Sequence, residues 1–558
     1  LEFGAEPSAY SVLVADSCVV VIANKPQYPD SMFAKGTLTA MFGVATLAAG
    51  CSPGAPNPLA ATSPGSTLTA SALKTRPVSR IVGEQRCASS GCHGTAFDGT
   101  IRDWHSAYTA WLEEDPHQRA FVVLYSERAV EMYRNLHPES KLSSEPPPDI
   151  PYEALLGERC LGCHATGLAG RDVVALAEGG DRPAFYLAGV ACESCHGPAS
   201  AWIHTHYLAG FSRNTPGFHD TKAMNSRAEA CVGCHVGPMM AENGRAYDVN
   251  HDLIAAGHPR LAFEFASYLA NLPKHWDEAK EIASHKLPGE PSTFHIDAWA
   301  AGQEQLARQL VRQVEHRLTA AKRDSNTTPW PDFSNFDCYD CHHTIGSPGD
   351  KRTTSAQLAG RRNAPRPAIA SLAMLKIMCD SSRPAANTGV LAAAGKIETL
   401  LQDSWRVPVS KLEQPGAEDL AILTARGQTP IVSFGPQPRH QQLALRLVAR
   451  MQPWKRARFP GNPQAYRWDL TWDEALQLYL GTLALARDLE WEQPGLLHSA
   501  IAPLGVSLDR SSFGRLGRLP TQYDSPTDFD PSSMQLIFDG IEAALISASK
   551  FDPRPGNP

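Results

Sequence analysis

Apolar positions recur at helical spacing in the second half of the chain. Over residues 296–322, Leu306, Leu310, Val314 and Leu318 fall at four-residue intervals, with Arg308, Arg312 and Arg317 elsewhere on the turn, which predicts a long amphipathic helix. Thr471 to Glu474 form a capping-box pattern, and Leu476, Tyr479, Leu480 and Leu483 follow at the spacing of one helix face. Ile537, Ile541, Ala544 and Leu545 repeat that spacing near the C-terminus. Residues 368–558 therefore read as a mostly helical domain interrupted by proline-rich loops, in which His440 and His498 are isolated surface or core histidines. A stretch rich in Gly, Ser, Pro, Thr and Arg precedes it and makes a linker at 346–367.

The N-terminal pattern is of another kind. Behind Met32 and Lys35, Gly36 to Gly50 is an apolar run of signal-peptide length ending in LAAG before Cys51, which predicts export and makes residues 1–50 upstream sequence and signal peptide. LAAGC also resembles a lipoprotein cleavage site, in which Cys51 becomes the acylated first residue, although Ala48 stands where leucine is preferred. An ordinary signal peptide with a free Cys51 is the alternative. Residues 51–80, rich in Ser, Pro, Thr, Ala and Gly without apolar periodicity, read as a flexible tether. No later stretch offers the roughly eighteen uninterrupted apolar residues of a membrane-spanning helix, so the mature protein is expected to be soluble or lipid-tethered.

Composition narrows the function. With 43% hydrophobic and 20% charged residues the chain is of ordinary globular make-up, which excludes a disordered or collagen-like protein. A formal charge of -7 provides no basic footprint for nucleic acid and no polybasic membrane patch. The unusual numbers are 13 cysteines and 20 histidines.

Ten of those cysteines form five pairs, each followed at once by histidine: Cys87, Cys92 and His93; Cys160, Cys163 and His164; Cys192, Cys195 and His196; Cys231, Cys234 and His235; Cys338, Cys341 and His342. Four copies are strict CxxCH, the attachment signature of c-type haem. The chemistry requires that spacing: two thiols add across the two vinyl groups, and the next residue presents an imidazole to the iron from the same turn. A zinc knuckle needs four converging ligands and has no use for a histidine after every second cysteine, and a disulfide framework needs no histidine at all. The first run, CASSGCH, has four residues between its cysteines, a longer loop able to bring both sulfurs to the vinyls. The expected cofactor is five haem c. Because covalent attachment removes the need for a large pocket per cofactor, the fold expected for 81–345 is a pentahaem cytochrome c domain with long loops and little regular structure, and the fold class is mainly α.

Each iron needs a sixth ligand unless it is kept open. Between residues 80 and 343 thirteen histidines lie outside the motifs, namely His105, His117, His137, His204, His206, His219, His251, His258, His275, His285, His295, His316 and His343, against only Met132, Met224, Met239 and Met240. Bis-histidine coordination, and with it low potential, is therefore expected. His251 and His258 are seven residues apart and could share a helix face, though Gly257 and Pro259 put His258 at a helix end or turn. His343 follows a proximal histidine directly, and the two imidazoles of such a pair are expected to point apart, which lets the second reach a neighbouring haem.

The run from Gly83 to His235 resembles the cytochrome c-554 family, whose tetrahaem member carries electrons away from hydroxylamine oxidation. The matching residues are CASSGCH, Trp111, Asp115-Pro116-His117-Gln118-Arg119-Ala120, CLGCH, Gly189-Val190-Ala191-CESCHGP and CVGCH. The resemblance implies that His206 is the distal ligand of the first haem (His93), that His117 serves the third (His196), that His251 or His258 serves the fourth (His235), and that the second haem (His164) has no protein distal ligand. His137 and His204 are spare histidines able to close that second iron. The longer first motif, the fifth haem and the C-terminal domain depart from the family. The expected function is single-electron transfer between redox partner proteins. The alternative is a redox enzyme acting on a small nitrogen or sulfur compound at an open haem, although the chain lacks the CxxCK motif of pentahaem nitrite reductases.

Overall fold

A computed structural model of the chain describes residues 10–15, 18–23, 79–96, 103–137, 156–157, 159–167, 188–240, 246–260, 263–325, 328–338, 365–379, 384–416, 439–456, 458–459, 462–466, 471–489, 495–508 and 535–548. It has two units, residues 1–74 and 75–558. In the first, strands β1 (Tyr10–Ala15) and β2 (Cys18–Ala23) pair antiparallel, Tyr10 opposite Ala23 and Ala15 opposite Cys18. The run Gly36 to Gly50, Cys51, and the tether as far as residue 78 lie outside the described residues.

The second unit is mainly α. Its helices are α1 (Ala107–Glu114), α2 (Glu127–Leu136), α3 (Leu161–His164), α4 (Cys192–His196), α5 (Met224–His235), α6 (His251–Ala256), α7 (Phe265–Asn271), α8 (Glu278–Ser284), α9 (Phe294–Arg323), α10 (Ala370–Met378), α11 (Pro384–Asp403), α12 (Arg439–Arg456), α13 (Trp472–Leu489), α14 (Leu496–Leu508) and α15 (Gln535–Ala548). Two short hairpins join them, β3 (Met239–Met240) with β4 (Ala246–Tyr247) and β5 (Arg458–Phe459) with β6 (Asn462–Tyr466). Among the described residues no helix is long and apolar enough to cross a membrane.

The periodic segments form the expected helices. Thr471 caps α13 as its pattern requires: its Oγ1 accepts from the Glu474 amide at 3.1 Å, and the Glu474 carboxylate accepts from the Thr471 amide at 3.4 Å. The long α9 differs from expectation in its polar side. Arg308 and Arg317 are buried, Arg308 bound to Glu304 at 2.8 Å and Arg317 to Asp248 and Asn335, both at 2.7 Å. The reason is that α9 is covered from several directions, packing against α5, α7, α10 and α13. A charge without water needs a partner, and each of these arginines has one.

One hydrophobic core runs from Ala228 and Val232 of α5, through Trp299, Val311 and Leu318 of α9, to Leu478 and Leu485 of α13 and Ile541 of α15. The helices on both sides of the 346–367 segment share it. Residues 79–223 are built differently. Among the described residues there the apolar cluster is small, Phe121, Leu124, Leu156, Leu161 and Ala165, and many backbone and side-chain hydrogen bonds hold the chain path.

Candidate metal centre

Three of the five histidine motifs end a helix. In α3, α4 and α5 the histidine is the last helical residue, and its second cysteine is the residue before it. One helical turn then carries both sulfurs and the imidazole, the arrangement that attachment and ligation of one haem demand. The first motif follows a 3-10 turn instead. Cys92 donates its amide to the Ser89 carbonyl at 2.9 Å and His93 to that of Cys87 at 3.2 Å, so the longer CASSGCH loop folds back on itself. Of the fifth motif, Cys338 is described, beside Asp337 and Arg260; Cys341, His342 and His343 lie outside the described residues.

The proximal rings are oriented through Nδ1. His93 donates to the Trp104 carbonyl at 2.6 Å and His164 to that of Ala120 at 2.7 Å, while Nδ1 of His196 lies 3.4 Å from Thr221 Oγ1. This leaves Nε2 for a metal, since a ligating histidine characteristically spends its other nitrogen on a carbonyl or carboxylate. Burial pushes His196 and His235 down to about 4 and lowers His164 as well. All three are therefore neutral at pH 7, with a lone pair to offer.

Opposite three of these rings stands a second imidazole. His206 faces His93 with ring centres 6.2 Å apart and planes 24° from parallel. His275 faces His196 at 6.4 Å, and His117 faces His235 at 6.0 Å. Two imidazoles bound to one metal at about 2 Å per nitrogen have their centres about 6 Å apart. Two partner rings are also held at Nδ1, His206 by the Ile203 carbonyl at 2.9 Å and His117 by Asp115 at 2.8 Å, and the His275 ring bonds the Pro273 backbone. His117 thus meets the fourth motif rather than the third, as the resemblance had implied. His275 takes the place opposite the third, and no spacing rule separates it from the other spare histidines. His251 points elsewhere, its amide on Asp332 at 3.2 Å and its ring 5.3 Å from Phe333, next to the segment entering Cys338.

The surroundings fit a porphyrin. The buried indole nitrogens of Trp202, Trp276 and Trp405 have no acceptor among the described residues. Trp202 packs edge-on to His206, Trp276 to His275, and Trp405 stacks on Phe333 beside His251. A porphyrin's propionates are acceptors such donors need. Motifs also lie close to one another: the Cys87 and Cys192 thiols influence each other's ionisation, as do those of Cys163 and Cys234.

Glu193, inside CESCHGP, has a structural task that spacing did not reveal. Its buried carboxylate accepts from the amides of Gly83 at 2.8 Å, Val82 at 3.1 Å and Ala199 at 2.7 Å, tying the approach to the first motif onto the third. Glu193→Ala strands those donors and is expected to cost about 3 kcal/mol. Limited proteolysis should then cut near residues 79–86 first; an unchanged digest would refute this role. Gly189 is equally specific, because at φ 72° a Cβ would stand 2.7 Å from the carbonyl oxygens of His117 and Gln118. That close approach lets the Val190 amide bond the His117 carbonyl at 3.0 Å, so the third motif and His117 are set by one contact.

No curated protein and no solved structure matches the chain. A family model does: that of cytochrome c554 and c-prime, over residues 86–197. The match takes in the first three motifs, the Asp115–Ala120 run and CESCH, the residues whose hydrogen bonds and ring pairs are described above, and over this segment the chain is similar to the cytochrome c554 family.

Proposed function

We propose that the chain is an exported five-haem c-type cytochrome that passes single electrons between redox partner proteins. The observation that carries this reading is the set of three facing imidazole pairs, each uniting a motif histidine with a distant one. Haem c bound at these sites supplies a one-electron iron couple. The chain's part is to hold paired imidazoles that would ligate the metal and to keep the centres close. Two pairings of motifs bear on the last point. His93 and His196 lie within electrostatic reach, as do His164 and His235, matching the mutual influence of thiols between first and third and between second and fourth motifs. Centres so placed form a path without any diffusing carrier. His251 and His343 are the remaining candidates for the fifth centre, and Cys51 for a lipid anchor. No nucleic-acid partner enters this reading.

Intact mass and pyridine haemochrome of the exported protein should give five haems per chain, and reductive titration should show low potentials. Four haems would leave the CASSGCH loop unoccupied. A haem-free protein carrying chelatable zinc would overturn the reading. So would sustained turnover of a nitrogen or sulfur compound, in favour of an enzyme.

A further inference from the structure

Helix α5 ends in the fourth motif, and one turn before Cys231 it sends a guanidinium to the third. Arg227 Nε donates to the Thr221 carbonyl at 2.6 Å, and the Thr221 hydroxyl stands 3.4 Å from Nδ1 of His196, the motif histidine. The same guanidinium lies over the Trp276 ring, 5.3 Å from its centre. Trp276 in turn packs edge-on to His275, the imidazole opposite His196, with ring centres 5.1 Å apart. One side chain thus reaches the supports of both imidazoles of a single pair. Lys274 completes the group, its ammonium also 5.3 Å from the Trp276 ring centre.

Each cation is met by one carboxylate: Arg227 by Glu281 at 2.7 Å and Lys274 by Glu278 at 3.1 Å, with the Leu269 carbonyl as a second acceptor for Lys274. The charges cancel within the cluster, but the donors are not used up. Of the five N–H bonds of a guanidinium, Arg227 spends one on Thr221 and two on Glu281, which leaves two. The indole N–H of Trp276 is buried and has no acceptor among the described residues. A buried donor in that condition is costly, and a guanidinium fork matches a carboxylate.

We infer that Arg227 and Trp276 together hold a propionate carboxylate of the haem attached at Cys192 and Cys195, and that this hold raises the reduction potential of that centre. The inference rests on the haem reading above and deepens it. Ferric haem carries one positive charge more than ferrous, so a nearby anion favours the oxidised form and a nearby cation opposes it. With Arg227 present the propionate is compensated. Without it, the propionate and Glu281 stand as unbalanced negative charge beside the pair. A unit charge about 10 Å away at an effective dielectric constant of about 20 changes the ferric to ferrous equilibrium roughly tenfold.

The test is potentiometric titration of the fully haem-loaded protein, followed by electron paramagnetic resonance so that each low-spin component is read separately. The third centre is the component that His275→Gly converts to high spin. In Arg227→Gln that component should keep its intensity and titrate lower, by roughly tenfold in the equilibrium constant, or about 59 mV for a one-electron couple. Arg227→Lys keeps the charge and should stay near the wild type, while Glu281→Gln should move the component upward. Trp276→Phe keeps the ring, removes only the indole N–H, and should lower the same component by less than Arg227→Gln does. An unchanged midpoint in Arg227→Gln or Trp276→Phe overturns the inference, as do equal shifts in Arg227→Lys and Arg227→Gln, because charge is then not the cause. If Arg227→Gln fails to load haem, Trp276→Phe and Glu281→Gln decide alone. If His275→Gly leaves every iron low-spin, the pair is refuted and the inference with it. A wild-type protein with no haem would instead refute the underlying reading.

Discussion

Haem-free protein, made by changing the ten attachment cysteines to serine, is expected to lose the tertiary structure of residues 79–223 while the helices from α5 onward persist. The two regions bury apolar surface very unequally. Around α9 the core includes fully buried Trp299, Ile296, Val311 and Leu318, each worth roughly 1.5–3 kcal/mol on leaving water. Among the described residues of 79–223 the cluster is the handful of side chains around Leu161, too few to offset about 1–2 kcal/mol of backbone entropy per residue. The covalently held ring systems are the missing core. Limited proteolysis with mass spectrometry should release peptides from 79–223 within the first minutes and leave a resistant fragment containing α9 and α13. An identical digestion pattern for haem-free and loaded protein would sink the idea.

The second large effect is expected from Asp488. This carboxylate on α13 is fully buried and caps a helix from which it is 193 positions away, accepting from the amides of His295 at 3.1 Å and Ile296 at 2.9 Å and from His295 Nδ1 at 2.8 Å. Thr293, which precedes α9, gives no side-chain cap of its own. His440 closes the cluster from α12, with Nε2 2.9 Å from the Ser292 carbonyl. Asp488→Ala leaves the start of a thirty-residue helix with buried donors and nothing to bond, and is expected to cost about 3–5 kcal/mol. Asp488→Asn keeps one acceptor oxygen and should cost less. Thermal and urea unfolding of the two variants settle the order; equal melting temperatures for Ala and wild type would refute the cap.

What could be read from the residues alone follows from how local each signal is. The haem motifs, the capping box at Thr471 and the four-residue spacing along α9 are interactions between neighbours in sequence, so spacing reveals them. The distal histidines are not. His206 lies far along the chain from His93 and was singled out only through the family resemblance; His275 meets His196 only because the loop between α7 and α8 returns past α4, and no periodicity records that path. His117 illustrates the same point from the other side, since its run was recognised but its partner ring was not. Arg308 and Arg317 looked like a solvated face because their acceptors, apart from Glu304, come from other elements. His440 shows the converse, an isolated histidine whose core role depends on contacts with residues about 150 positions upstream.

The closeness of Cys87 and Cys192 bears on the order in which this protein can be made. Cys87 is the acidified member of that pair, its thiol lowered chiefly by the hydrogen bond from Cys192, and a thiol that ionises more readily is the better nucleophile towards an oxidised sulfur. Folding ahead of cofactor attachment would therefore set each thiol beside the wrong mate, and any two-electron oxidant would join two motifs that belong to separate haems. Cys163 and Cys234 face the same hazard. Loading each motif while the chain is still extended and its thiols reduced would avoid that mispairing, because each sulfur would be spent on its own ring before the native packing brought the two motifs together.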